Sequence, residues 1–205
     1  MNKFKEWKKE VLEHKTLIIL SLIFLTFSLI LDYLSGKYTT RIGSVTSPDL
    51  ILDYIAPLDL SYIFSYGYVF VFACLILYPL LFKVNKFHVA ISQISLLTVV
   101  RSMFICFTHL KTPAEAIAYK LPAMVSHLGF QNDLFFSGHT AFPFLGFLLF
   151  KDSRIRYFFL ASSIILGATV LIMHRHYSID VFSAYFITYG TYKIGEWFFK
   201  KINHY

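Results

Sequence analysis

Two histidine-bearing strings hold the residue types from which a phosphoryl-transfer site is built: Ser137-Gly138-His139-Thr140 and His174-Arg175-His176-Tyr177-Ser178-Ile179-Asp180. Asp180 follows His176 by four residues, a spacing that on a helix puts both side chains on one face. A carboxylate there accepts the proton on one ring nitrogen, fixes the tautomer and raises the basicity of the other nitrogen. That is what a histidine nucleophile requires. His139 suits the complementary part, a protonated imidazole that donates to a leaving oxygen. It stands beside Ser137 and Gly138 at an expected helix start. Free N–H groups and the helix dipole favour a bound phosphate there, and glycine admits a close backbone approach. Two histidines held in opposite protonation states form a workable acid–base pair. Singly, each string also reads as ordinary membrane packing; their conjunction points to catalysis.

Phosphoryl transfer also needs cations facing the phosphate oxygens. Arg101 is the first candidate. It lies six residues before Phe107, the outer end of its apolar segment, roughly 9 Å deep. A guanidinium at that depth should face the bundle interior and a partner; the alternative to a phosphate contact is a structural ion pair with Asp32, Asp49 or Asp133. Arg175 reads as a phosphate clamp or as a side chain snorkelling to the interface. Asp133 either orients His139 or caps the helix that follows. Asp49 and Asp53 recur at i and i+4 in the first long loop and read as headgroup contacts or, preferentially, as solvated carboxylates. His174 is expected to pack or to support its neighbours, and His14, His88 and His204 to be incidental.

The elements that must position these groups are membrane helices. Of the 205 residues 57% are apolar and only 15% charged, with 23 Phe and 14 Tyr; soluble domains carry about 25% charged residues. Six apolar segments approach spanning length, about 17–25 residues: Thr16–Leu34, Tyr62–Phe82, Phe87–Phe107, Leu134–Phe150, Tyr157–Met173 and Ile179–Phe199. They predict an all-α polytopic membrane protein, a single six-helix domain over residues 1–205 with a basic N-terminal segment over 1–15. Six spans put both termini on one side. That side collects Lys3, Lys5, Lys8, Lys9, Lys15, Lys83, Lys86, Lys151, Arg154, Arg156, Lys200 and Lys201, against Lys37, Arg41, Lys111, Lys120 and Arg175 opposite. This bias predicts cytosolic termini and sets the two histidine strings on the extracytosolic side. The first apolar run has no small-residue cleavage site after it and reads as a retained span. The stretch around Phe4 and Trp7 reads as an interfacial helix facing lipid or as a solvated charged tail. The net charge of +7 falls in short clusters between apolar runs, which favours anionic lipid over nucleic acid. Cys74 and Cys106 sit inside apolar runs, so no disulfide framework is expected. The loops 35–61 and 108–133 are long for helix connections and are expected to carry function.

These residues resemble a known family. The two histidine strings, the second extended through Val181 and Phe182, look like the signature motifs of sphingomyelin synthases. The second string is especially similar to the synthase-related ceramide phosphoethanolamine synthase, a branch of the type 2 phosphatidic acid phosphatase superfamily. Pro48-Asp49-Leu50-Ile51-Leu52-Asp53-Tyr54 resembles that family's first-loop motif. Arg101-Ser102 with Thr108-His109-Leu110 resembles its third-span motif, and Asp133 matches the acid of a Cys-Gly-Asp triplet whose first two positions are Gln131-Asn132 here. The resemblance covers roughly residues 48–190. It implies a six-span enzyme in which His176 attacks a lipid phosphate and becomes phosphorylated, Asp180 orients it, and His139 protonates the departing oxygen. Water, ceramide or diacylglycerol then takes the group. Glu115 lies in the loop where the synthase-related relatives have a functional glutamate, which adds it to Arg101, Asp133, Ser137, Gly138 and Arg175 as substrate-binding candidates. Neither metal nor cofactor is expected, and the sequence is silent on oligomeric state.

Two other classes compete. A metal- or haem-binding protein would use His139, His174 and His176, but histidines two apart at a helix start face different ways, and no cluster has metal-ligand spacing. A transporter would use Arg101 to mark a path, but no inverted repeat or broken helix pair is visible.

Overall fold

The computed structural model describes residues 3–43, 45–120 and 129–202; His204, residues 121–128 of the second long loop and the side chains of Lys3, Phe4, Lys200, Lys201 and Ile202 lie outside the described residues. The described chain is built of helices: α1 (Lys3–Glu13), α2 (Lys15–Ile42), α3 (Tyr68–Phe82), α4 (Phe87–Phe107), α5 (Gly138–Leu149), α6 (Ile155–Ile172) and α7 (Ser178–Ile202). A π-helical turn, Ile63–Gly67, runs into α3, and a 3₁₀ turn, Val84–Lys86, leads into α4. Helices are what an apolar environment requires, because backbone groups there must pair within their own segment. Lys15–Ile42, Ile63–Phe82, Val84–Phe107 and Ile155–Ile172 are long and apolar enough to cross a membrane. α5 is a shorter apolar helix of 12 residues, about 18 Å against a hydrocarbon core of about 30 Å. α7 has 25 residues and carries Asp180, Lys193 and Glu196 among its apolar ones.

Three expectations need correcting. The first helix does not stop at Leu34 but continues to Ile42. Its added turns are held from outside: the Asn132 amide reaches the Thr39 carbonyl at 3.4 Å, and the Gln131 N–H donates to the Thr40 hydroxyl at 3.0 Å. Tertiary contact thus continues a helix that local propensity would end. The fourth segment is not helical from Leu134; α5 begins at Gly138, because the preceding backbone is committed to Arg101, whose Nε–H donates to the Phe136 carbonyl at 3.0 Å. Trp7 of α1 does not reach out to lipid: its indole N–H donates to the Leu80 carbonyl at 2.8 Å and docks α1 against the end of α3.

Within the bundle α2 packs along α4, and α5 sits between α6 and α7. The core is a continuous apolar cluster that includes Leu75, Ile91, Leu97, Phe136, Leu145 and Phe159. α5 and α6 approach closely at Gly146. A Cβ there would run into the Phe159 ring, so a small residue lets the two backbones close, as membrane helix pairs commonly do.

Candidate active site

The first turns of α5 and α7 meet at one end of the bundle. Ser137, the N-cap of α5, donates its backbone N–H to the Asp180 carbonyl at 3.0 Å, so the two histidine strings are joined directly. His176 lies two residues before α7 and Asp180 in its first turn. The Nδ1–H of His176 points to Oδ2 of Asp180 at 3.2 Å, and the same oxygen accepts the Tyr177 N–H at 3.0 Å. The carboxylate thus caps the helix it starts, in the manner of a capping box, and the cap fixes its aim at the imidazole. Both groups are buried, Asp180 completely. With Nδ1 engaged, Nε2 is the nitrogen of His176 left to react.

His139 sits in the first turn of α5, stacked between the rings of Phe64 and Tyr68 with centroids 4.2 Å away on each side. Its Nε2–H donates to the Phe64 carbonyl at 3.2 Å. Phe64 belongs to the π-helical turn, a distortion that recurs at functional sites. His139 and His176 line one cavity of about 380 Å³, together with Arg101, Arg175, Asp133 and Gly138; its apolar lining includes Leu29, Phe72 and Phe142. This volume falls in the range of small-ligand sites, and the mix of apolar wall and convergent polar groups is typical of them.

Arg101 faces that cavity, 7% exposed. Nη2 binds Asp133 Oδ1 at 2.7 Å and Nη1 lies 3.6 Å from Asp32 Oδ1. Asp133 therefore neither orients His139 nor caps α5; the depth of Arg101 draws it inward as a counter-ion. The ion-pair alternative for Arg101 is realised with two carboxylates, both on the cavity wall. Arg175 does not snorkel away: its guanidinium lies 4.7 Å over the Tyr119 ring and lines the cavity.

Not every expected group reaches the cavity. Ser137 is fully buried, makes no capping bond through its hydroxyl, and does not line the cavity. Glu115 is exposed beside a second cavity, its carboxylate 4.0 Å from His174 Nδ1. His174 is buried, its Nε2–H donating to the Ile55 carbonyl at 2.8 Å; it packs, as expected. The solvated reading of Asp49 is wrong: its carboxylate is buried and accepts three backbone N–H bonds. Asp53 is exposed. Sequence reasoning missed Phe64, Tyr68 and Tyr119, for which it offers no signal, and named Asp32 only as a partner for Arg101. Among the described residues no group of three His, Cys, Asp or Glu side chains is arranged to hold a metal ion.

Gly138 faces the cavity beside His139. A Cβ there would lie 3.2 Å from Arg101 Nε and 3.6 Å from its Cζ, so the guanidinium would have to give by a few tenths of an ångström. Gly138→Ala is expected to lower kcat/KM roughly tenfold, since small misplacements at a reacting centre are costly, with little change in melting temperature. Lipid turnover alongside thermal unfolding checks this; an unchanged rate means that Arg101 need not hold its place.

Residues 132–197 match the family model described as PAP2 superfamily C-terminal. The matched stretch holds α5, α6 and most of α7, with Asp133, His139, Arg175, His176 and Asp180, and leaves out Arg101 and the first loop. No curated protein and no solved structure matches the chain. The match supports the type 2 phosphatidic acid phosphatase superfamily, whose members are generally phosphatases or phosphotransferases, and with it an enzyme embedded in a membrane.

Proposed function

We propose that this chain is a lipid phosphoryl-transfer enzyme of the sphingomyelin synthase-like kind, working through a phosphohistidine. One observation carries the reading: His176, with Asp180 on its Nδ1, shares a cavity with His139, Arg101 and Arg175. Nε2 of His176 attacks the lipid phosphorus, forming a P–N bond as the P–O bond to the lipid breaks. The departing oxygen takes a proton from His139. Since Nε2–H of His139 is engaged by Phe64, Nδ1 is the nitrogen that carries this proton. In the second step an acceptor hydroxyl, of water or of a lipid alcohol such as ceramide or diacylglycerol, gives its proton to His139 and cleaves the P–N bond. Arg175 and Arg101 supply positive charge to the phosphate oxygens. The topology proposed with this chemistry is one domain of six spans, α2 to α7, with cytosolic termini and the cavity opening on the extracytosolic side.

Purified protein incubated with mixed phospholipids and ceramide, with lipids followed by mass spectrometry, decides the reading and the acceptor. Turnover is expected to persist in the presence of a chelator. Its kcat/KM should follow a bell-shaped pH profile, since one histidine must be neutral and the other protonated. A rate flat between about pH 5 and 9, or no lipid turned over at all, contradicts it.

A further inference from the structure

The catalytic string is held from two sides. On its own side Asp180 caps Tyr177; on the other, the first loop reaches across. Asp49 Oδ1 accepts the N–H groups of Ile51 at 2.9 Å and Leu52 at 3.1 Å, which closes a local turn. Oδ2 accepts the N–H of Ser178 at 2.7 Å. Ser178 is the first residue of α7, and the first N–H groups of a helix have no partner within it. A residue 129 positions away thus satisfies one of them. The intervening residue is pinned as well: the Tyr177 hydroxyl donates to the Lys111 carbonyl at 2.8 Å and accepts the Ser47 N–H at 3.1 Å. His176, Tyr177, Ser178 and Asp180 form a single turn, so whatever fixes Ser178 fixes the angle at which Asp180 meets the imidazole.

We infer that Asp49 is a positioning residue for phosphoryl transfer, acting through the Ser178 N–H to hold the His176–Asp180 pair in register. The inference rests on the proposed function. Asp49 does not line the cavity that contains His176, so its effect is exerted entirely through the backbone of α7. Burial opposes its ionisation, but the Ser178 N–H, with those of Leu52 and Ile51, outweighs burial and holds the Asp49 carboxyl below the usual carboxylate range. Its stabilising contribution is therefore fully present above about pH 3.9 and is lost only as pH falls through the lower folded value. Assays near neutral pH read an ionised anchor.

Two substitutions cut the same bond from opposite ends. In Asp49→Asn the remaining oxygen can keep the local turn with Ile51 and Leu52, and the amide then presents a donor to the Ser178 donor. In Ser178→Pro the donor itself is removed, at a first-turn position where proline suits the helix. Each is expected to lower kcat by about 10–100-fold, the usual cost of losing a partner that orients a reacting group, with KM within about threefold. The double variant should be no worse than the poorer single one, because both remove one interaction. Turnover is measured per folded molecule, with thermal unfolding as the fold control. Variants that melt earlier but keep the wild-type kcat overturn the inference, as does a double variant whose losses multiply. If Asp49→Asn fails to fold, Ser178→Pro alone decides by the same criterion. An inactive wild type overturns the proposed function and this inference together; an active wild type with fully active variants overturns the inference alone.

Discussion

Replacing His176 with alanine is expected to lower lipid turnover by at least roughly 10⁴-fold, the scale on which an enzyme loses its nucleophile, and to leave the fold in place. The expectation follows from the direction in which the ring is held. Nδ1 is committed to a fully buried carboxylate at 3.2 Å, so only Nε2 is left to attack. Asp180→Asn gives the sharper test. One oxygen, Oδ2, accepts both the Tyr177 N–H at 3.0 Å and the His176 Nδ1–H at 3.2 Å, so the amide oxygen keeps both bonds and helix α7 keeps its start. What is lost is the negative charge that raises the basicity of the ring. A loss of roughly 10–100-fold is expected from removing such a carboxylate partner, with melting close to wild type. Quenched reactions should show an acid-labile phosphoryl group on the wild-type chain and none on His176→Ala. A His176→Ala protein that still turns lipid over, or an Asp180→Asn protein that matches the wild-type rate, removes the nucleophile from the mechanism.

How much of this is legible in the sequence depends on the distance between partners. His176 and Asp180 are four residues apart, and their pairing is local geometry, readable from spacing alone. The start of α5 is announced by Ser137-Gly138. The depth of Arg101 in an apolar run states that it needs a counter-ion, and Asp32 is visible as a charge in another such run. Nothing in the chain says which carboxylate wins, because that depends on how the segment before α5 folds under Arg101. Asp133 accordingly turned out to be a counter-ion and neither of the two things its position suggested. Phe64 and Tyr68 are hidden for the opposite reason. In a chain with 23 Phe and 14 Tyr, two more aromatics carry no signal, yet they clamp the His139 ring on both faces. Asp49 reads as solvated because its partner, Ser178, lies on the last helix. The same long-range logic extends α2: its last turns depend on Gln131 and Asn132, which no local propensity encodes.

In the proposed mechanism Arg101 serves both stability and catalysis, and the two are separable by substitution. Its guanidinium is the only cation within 4 Å of both Asp32 and Asp133 among the described residues, and it also satisfies the Phe136 carbonyl. Arg101→Met leaves two carboxylates facing one another without compensation. Removing one partner of a buried ion pair costs about 3–5 kcal/mol; Asp32 and Asp133 keep 29% and 24% of their side-chain surface exposed, so the lower end applies. A fall in melting temperature of roughly 6–12 °C is expected for a chain of this size, together with loss of turnover. Adding Asp133→Asn to Arg101→Met removes one of the stranded charges and should restore part of the lost stability. It should not restore catalysis, because the cavity still lacks the cation. Arg101→Lys falls between: one ammonium cannot serve the carbonyl and both carboxylates in the fixed fork that a guanidinium offers. Melting curves and turnover of the three variants, measured in the same detergent, separate the roles. If Arg101→Met/Asp133→Asn recovers activity along with stability, Arg101 is a strut for the bundle and the phosphate charge is met by Arg175 alone.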